Sequence, residues 1–239
     1  MTSKKIKILF WLENYTIHFG IAKFLKEQFD CELYAVISCS SMQKDFFENQ
    51  KLIEFEKVWY IRENISINNE EPNIEYLKLF EEKMNIPISS LIFGDRFFYK
   101  YNRYDTFTRN EILTILEQEL KFFEKIIDEV KPTCTILRVP EFQDIELFYE
   151  VCRTKNIPTL ILDATRFGAR YMINNQTEYP IPFDNTENLK NLKNFKQLRE
   201  HIDSYSKSYA VVMKNLRSSK TSKVKAVIKF LFQFKKIDT

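Results

Sequence analysis

Glycine is almost missing from this chain, with three residues in 239. A backbone loop that cradles phosphate needs several, and neither G-x-G-x-x-G nor G-x-x-x-x-G-K-S/T occurs. Histidine is scarcer still, at two. The four cysteines, Cys31, Cys39, Cys134 and Cys152, form no C-x-x-C pair. Neither a zinc site nor a disulfide framework is expected, and no cofactor is implied. The cysteines read as buried thiols in a reducing, cytoplasmic setting. No apolar stretch approaches the ~20 residues of a membrane-spanning helix. Lys4 and Lys5 precede an apolar run that Glu13 ends before it reaches the length of a signal sequence. Net charge is only +3, which does not by itself call for a nucleic-acid partner.

What is present is a core. Hydrophobic residues make up 44% of the chain, with 22 Phe and 12 Tyr among them. That suits one large domain, or one domain with an appendage. The organising stretch is Lys5–Ile21, KIKILFWLENYTIHFGI. Ile6, Ile8, Leu9, Phe10, Trp11 and Leu12 form a nearly unbroken apolar run. Such a run fits a strand covered on both faces, as in a parallel sheet flanked by helices. Glu13 and Asn14 break it, and His18 opens a helical pattern carried by Ile17, Ile21, Phe24 and Leu25.

Strands are then expected at Glu32–Ser38 and Lys57–Ile61, with a helix over Met42–Ile53 between them. This is β-α-β-α-β, one half of a doubly wound sheet. Asn64–Pro72 reads as a polar turn. Ile74–Met84 reads as a helix ended by Asn85 and Pro87. A long helix spans Asn110–Val130, its apolar stripe marked by Leu113, Leu116, Leu120, Phe123, Ile127 and Val130. Thr133–Val139 is the next strand, Phe142–Asn156 a helix, Thr159–Asp163 a strand, and Tyr171–Ile173 a short extended piece. The fold expected is α/β and Rossmann-like, a mainly parallel sheet of five to seven strands in one domain over residues 1–180. Residues 181–239 form a helical, basic extension.

In such sheets ligands lie at the carboxyl ends of the strands, where the strand order reverses. With the first strand central and the Thr133 strand beside it, Glu13, Asn14 and His18 come near Arg138 and Glu141. Glu13 reads either as a general base or as a solvated carboxylate favouring a helix start. His18 reads either as a proton-transfer group or as a packing residue. Arg138 interrupts an apolar strand and needs a partner, which Glu141 or a ligand can supply. Asp163, Arg166 and Arg170 either grip an anionic or sugar ligand or form an internal ion pair. Arg96–Tyr104 interleaves aromatics with cations. It fits a loop covering the core, an acceptor contact, or, least well, single-stranded nucleic acid.

Three stretches together resemble the amino-terminal domain of GT-B-type glycosyltransferases, in particular those that build capsular and lipopolysaccharide-type surface polysaccharides. They are KIKILFWLENYTIHFG, the long helix running into KPTCTILRVPE, and IPTLILDATRFGARYMINN. The last is similar to a strand followed by Thr/Ser-Arg-x-Gly-x-Arg in those proteins. The resemblance covers roughly residues 4–180. It implies a two-domain enzyme whose first domain binds a sugar or lipid-linked glycan acceptor. The nucleotide-sugar is expected only with a second domain or chain, because no second β-α-β series follows Asn174. A truncated or split enzyme, or a domain that works with another chain, is expected; a non-catalytic Rossmann-like binding module is the alternative. In this resemblance Glu13 maps to a base. The basic, aromatic segment Lys214–Lys236 is expected to lie at an anionic membrane surface, on the inner face of the membrane, or else to pack on the domain.

Overall fold

The computed structural model describes residues 5–13, 16–67, 70–93, 95–96, 98, 107–164, 171–175, 194–197, 199–200 and 203. Two units are distinguished: Met1–Leu160 with Gln233–Thr239, and Ile161–Phe232.

The first strand, β1 (Ile6–Leu12), is buried from Ile8 onward. It leads into α1 (Thr16–Gln28), β2 (Cys31–Ile37), α2 (Ser41–Asn49) and β3 (Lys57–Tyr60). Three short helices follow: α3 (Ile61–Asn64), α4 (Ile74–Met84) and α5 (Ile88–Phe93). The 22-residue α6 (Arg109–Val130) then delivers the chain to β4 (Cys134–Arg138), α7 (Gln143–Thr154) and β5 (Thr159–Ala164). β1 pairs in parallel with β2 on one side and β4 on the other, and β2 pairs in parallel with β3. With β6 (Tyr171–Asn174) at the far edge, the strand order is β3-β2-β1-β4-β5-β6. The order reverses between β1 and β4, the expected place. The fold is Rossmann-like α/β.

Local chemistry sets the helix ends. Thr108 caps α6 with a capping box: the Glu111 N–H donates to Thr108 Oγ1 (3.3 Å) and the Thr108 N–H to Glu111 Oε2 (2.7 Å). Lys131 closes α6 in the left-handed region at φ 49°, its N–H bonding the Ile127 carbonyl, and Pro132 forbids another turn. Asn85 closes α4 the same way at φ 58°. The polar segment 64–72 is tied to α6. The Ser66 N–H donates to Gln118 Oε1 (2.8 Å), and Gln118 Nε2 donates back to the Ser66 carbonyl (2.9 Å).

Trp11 sits at the middle of the core. Its ring lies 5.9 Å from Phe123 of α6 and 5.2 Å from Phe148 of α7, which lie 5.3 Å from each other. Side chains alternate along a strand, so Phe10 and Leu12 point to the opposite face. A second aromatic cluster joins α1 to α2, where Phe19 meets Phe46, Phe47 and Phe55. Leu113, expected on the α6 stripe, is half-buried; Ile112, Ile115, Ile126 and Glu119 complete the buried face instead. β4 is joined to the start of β5 by the Thr135 and Thr159 hydroxyls, 2.9 Å apart.

In the second unit, β5 continues to Ala164 and pairs antiparallel with β6 (Tyr171–Asn174), Asp163 opposite Met172. The sheet is therefore mainly, not wholly, parallel. The expected basic helix over Lys214–Lys236 lies outside the described residues, as do Asn14, Arg166 and Arg170.

Candidate functional site at the carboxyl edge of the sheet

The carboxyl ends of β1, β2 and β4 bring a set of polar groups together within the first unit. Glu13 is the first residue after β1. It accepts from Trp11 Nε1 (2.8 Å) through Oε1 and pairs with Arg138 Nε through Oε2 (2.8 Å). Arg138 ends β4. Its Nη1 also donates to Glu141 Oε2 (2.9 Å), and its guanidinium lies 5.4 Å from the centre of the Phe142 ring. Side-chain exposure is only 12% for Arg138 and 16% for Glu13, but 50% for Glu141. The partners that the sequence demands for an arginine in an apolar strand are thus Glu13 and Glu141 together. Removing a charge pair from water is costly, and here several hydrogen bonds offset that cost.

His18 enters the same region from the first turn of α1. It is 4% exposed. Burial pushes its pKa down to about 4; a hydrogen bond to the Leu137 backbone opposes this, and the charge of Arg138 adds to it. Its Nε2 has no hydrogen-bond partner among the described residues. At neutral pH this imidazole is uncharged, with one polar nitrogen still to be satisfied.

Three further groups converge here that sequence reasoning did not single out. Asp144, in the first turn of α7, is half-buried. It accepts from Ser38 Oγ (2.9 Å) with Oδ2 and from the Ile145 N–H (2.8 Å) with Oδ1. Ser38 follows β2 and is anchored by its own N–H to the Leu12 carbonyl. Asp144 therefore reaches past the end of β1 to a residue beyond β2. Burial, then the Glu13 charge, raise its pKa to about 6, against the pull of the Ser38 and Ile145 hydrogen bonds. Asp95 is 5% exposed and accepts from the Gln143 N–H (2.6 Å), which satisfies the start of α7. Glu119 of α6, also 5% exposed, accepts from Gln143 Nε2. Burial and the charges of Asp144 and Asp95 hold its carboxyl well above the usual range.

A signal for Asp144 and Glu119 was present but ordinary. An aspartate in a first turn usually serves the helix dipole, and a glutamate within LEQEL looks like one more polar residue of a helix surface. Asp163, at the end of β5, belongs to the second unit and is half-buried there. Among the described residues no group of three or more His, Cys, Asp or Glu is arranged to hold a metal ion. No helix among them is long and apolar enough to cross a membrane.

No protein-family profile matches the sequence, and no curated protein matches it. Solved structures with a similar chain course include a UDP-N-acetylglucosamine 2-epimerase, 10% identical over 66% of this chain and 33% of that one, with a TM-score of 0.36. They include Phytolacca americana UGT2 complexed with UDP-2fluoro-glucose and pterostilbene, 12% identical over 68% and 31%, with a TM-score of 0.32. They also include a pantoate-beta-alanine ligase from Francisella tularensis, 13% identical over 70% and 61%, with a TM-score of 0.34. The chain spans about a third of the length of the epimerase.

Proposed function

We propose that this chain is the acceptor-binding half of a GT-B-like glycosyltransferase of surface polysaccharide assembly, completed by a second domain or a partner chain that holds the nucleotide-sugar. The observation that carries the reading is the position of Glu13, His18, Arg138 and Glu141. All four gather where the strand order reverses, the place at which open α/β sheets form ligand crevices. The resemblance of KIKILFWLENYTIHFG and KPTCTILRVPE to the transferases supports the same reading. The acceptor is a sugar or lipid-linked glycan. Lys214–Lys236 would hold the protein at an anionic membrane surface, close to such an acceptor.

A second reading, a non-catalytic Rossmann-like binding module, is favoured by one feature. Both oxygens of Glu13 are already engaged, by Trp11 and Arg138, which leaves it poorly placed to take a proton. The two readings separate in a binding and turnover experiment on the purified chain. The transferase reading expects saturation-transfer NMR signals from glycan acceptors, and sugar transfer from a nucleotide-sugar only when a complementing domain is added. Glycan binding without transfer under any complementation would leave the binding module. Absence of glycan binding would reject the acceptor reading.

A further inference from the structure

Among the described residues, five carboxyl groups meet two guanidiniums at the carboxyl edge: Glu13, Asp95, Glu119, Glu141 and Asp144 against Arg96 and Arg138. Arg138 is already held by Glu13 and Glu141. An anionic ligand entering here would have to displace a carboxylate from Arg138 and then face the remaining negative groups. The local field opposes it. A neutral ligand with hydroxyl groups meets no such barrier. An ionised carboxylate can only accept hydrogen bonds, and each sugar hydroxyl can donate one.

The carboxylates differ in what they have left to offer. Glu13 is occupied on both oxygens, Glu119 and Asp95 are almost fully buried, and Glu141 is exposed on the rim. Asp144 also accepts on both oxygens, from Ser38 Oγ and the Ile145 N–H, but alone of the five it combines partial exposure with a hydroxyl neighbour from another strand end. Ser38 donates to it and keeps acceptor capacity for a second hydroxyl. A separate feature of the same edge also points to a missing polar partner. His18, 4% exposed beside Leu137 and Arg138, has an Nε2 with no hydrogen-bond partner among the described residues.

We infer that the Ser38–Asp144 pair is the ligand-recognition point of this edge, and that it takes a neutral, hydroxyl-bearing sugar in preference to an anionic one. The inference rests on the reading of the edge as an acceptor site, and it names both the ligand class and the residues that read it. Glu13 is then the counter-ion that holds Arg138, not the group that meets the ligand. Hydrogen bonds from sugar hydroxyls favour the ionised form of Asp144, so binding tightens as pH rises through about 6.

The test is a titration of the full chain by saturation-transfer NMR. The probes are the methyl glycosides of glucose, galactose and N-acetylglucosamine, with glucose 1-phosphate as the anionic counterpart. The expected result is binding of at least one methyl glycoside in preference to the phosphate. Asp144→Asn, which preserves shape, weakens it about tenfold, and Ser38→Ala does so to a smaller degree. The rise in affinity from pH 5 to pH 7 disappears in Asp144→Asn. Undiminished glycoside binding by both variants overturns the inference and leaves the acceptor reading standing. Preference for glucose 1-phosphate also overturns it and returns the site to Arg138. Failure of every sugar to bind the wild-type chain rejects the acceptor reading itself, and this inference with it.

Discussion

The two ends of the β1–β4 strand pair are built differently. At the amino end, polar groups of β1 are met by the segment that leads into β4. The Lys7 N–H donates to Thr133 Oγ1 (3.1 Å), the Thr133 N–H donates to the Lys7 carbonyl (2.8 Å), and Lys7 Nζ reaches the Val130 carbonyl (3.3 Å). Its ion pairs, Lys5–Asp30 and Lys7–Glu32, are long and solvated. At the carboxyl end, the charges are mostly buried, burial displaces the pKa values of His18, Glu119 and Asp144, and among the described residues the His18 Nε2 has no hydrogen-bond partner. Among the described residues, the amino end has no buried side-chain polar atom without a partner. The carboxyl end carries more polar functionality than closure needs, and that surplus is where ligand chemistry is to be sought.

The comparison is broken most severely at Arg138. Arg138→Ala leaves Glu13 largely buried without its counter-ion and should cost about 3 kcal/mol by urea unfolding. A loss under 1 kcal/mol would mean that this end is no more demanding than the other.

His18 should show the next largest effect. Its folded pKa is depressed to about 4 from 6.5, so between those values the unfolded chain binds the proton and the folded chain does not. This contribution to stability therefore rises with pH through that window and is lost as pH falls. Measured against wild type, His18→Leu should gain roughly 2–3 kcal/mol on passing from pH 7 to pH 4. A pH-independent difference would show that the imidazole is hydrated in the folded state.

Asp144 acts with the opposite sign. Its folded pKa is raised to about 6 from 3.8, so its contribution is full below 3.8 and is lost as pH rises through 6. Relative to Asp144→Asn, wild type should lose roughly 2 kcal/mol between pH 4 and pH 7, after allowance for partial exposure. Because His18 and Asp144 tilt the profile in contrary directions, wild type alone can look nearly flat, and only the two variants separate them. Lys7→Met, at the other end of the strands, should change stability by less than about 1 kcal/mol at any pH from 4 to 8.

The fold was legible because its signals are local. The run from Ile8 to Leu12 suits a doubly covered strand, Pro132 cannot continue a helix and Asn85 readily takes the left-handed cap, and the alternation of periods implies parallel crossovers. Glu13 and Arg138 were legible as well, since each breaks an apolar strand at its end. What could not be read was which charges would meet. Glu13 and Arg138 are 125 residues apart, and the sequence offers Glu141 as a nearer partner; the structure uses both. Ser38 was assigned to the end of a strand, yet it lies one residue past β2, and there its hydroxyl turns to Asp144. Glu119 sits among leucines at a spacing that suits either face of α6. Only the packing against α7 decides that it is inside.

Trp11 links the core to the carboxyl edge, since its ring packs on Phe123 and Phe148 while its Nε1 donates to Glu13. The chain has only two tryptophans, and the second, Trp59, lies on β3 under the Lys57 ammonium. Replacing Trp59 by Phe leaves one indole whose emission is sensitive to the charge and mobility of the carboxylate beside it. The protein thus contains its own optical probe. Any event that loosens Glu13 from Arg138, by protonation, by a ligand or by a docking chain, should register as a change in the intensity or wavelength of that single emitter, with no label attached.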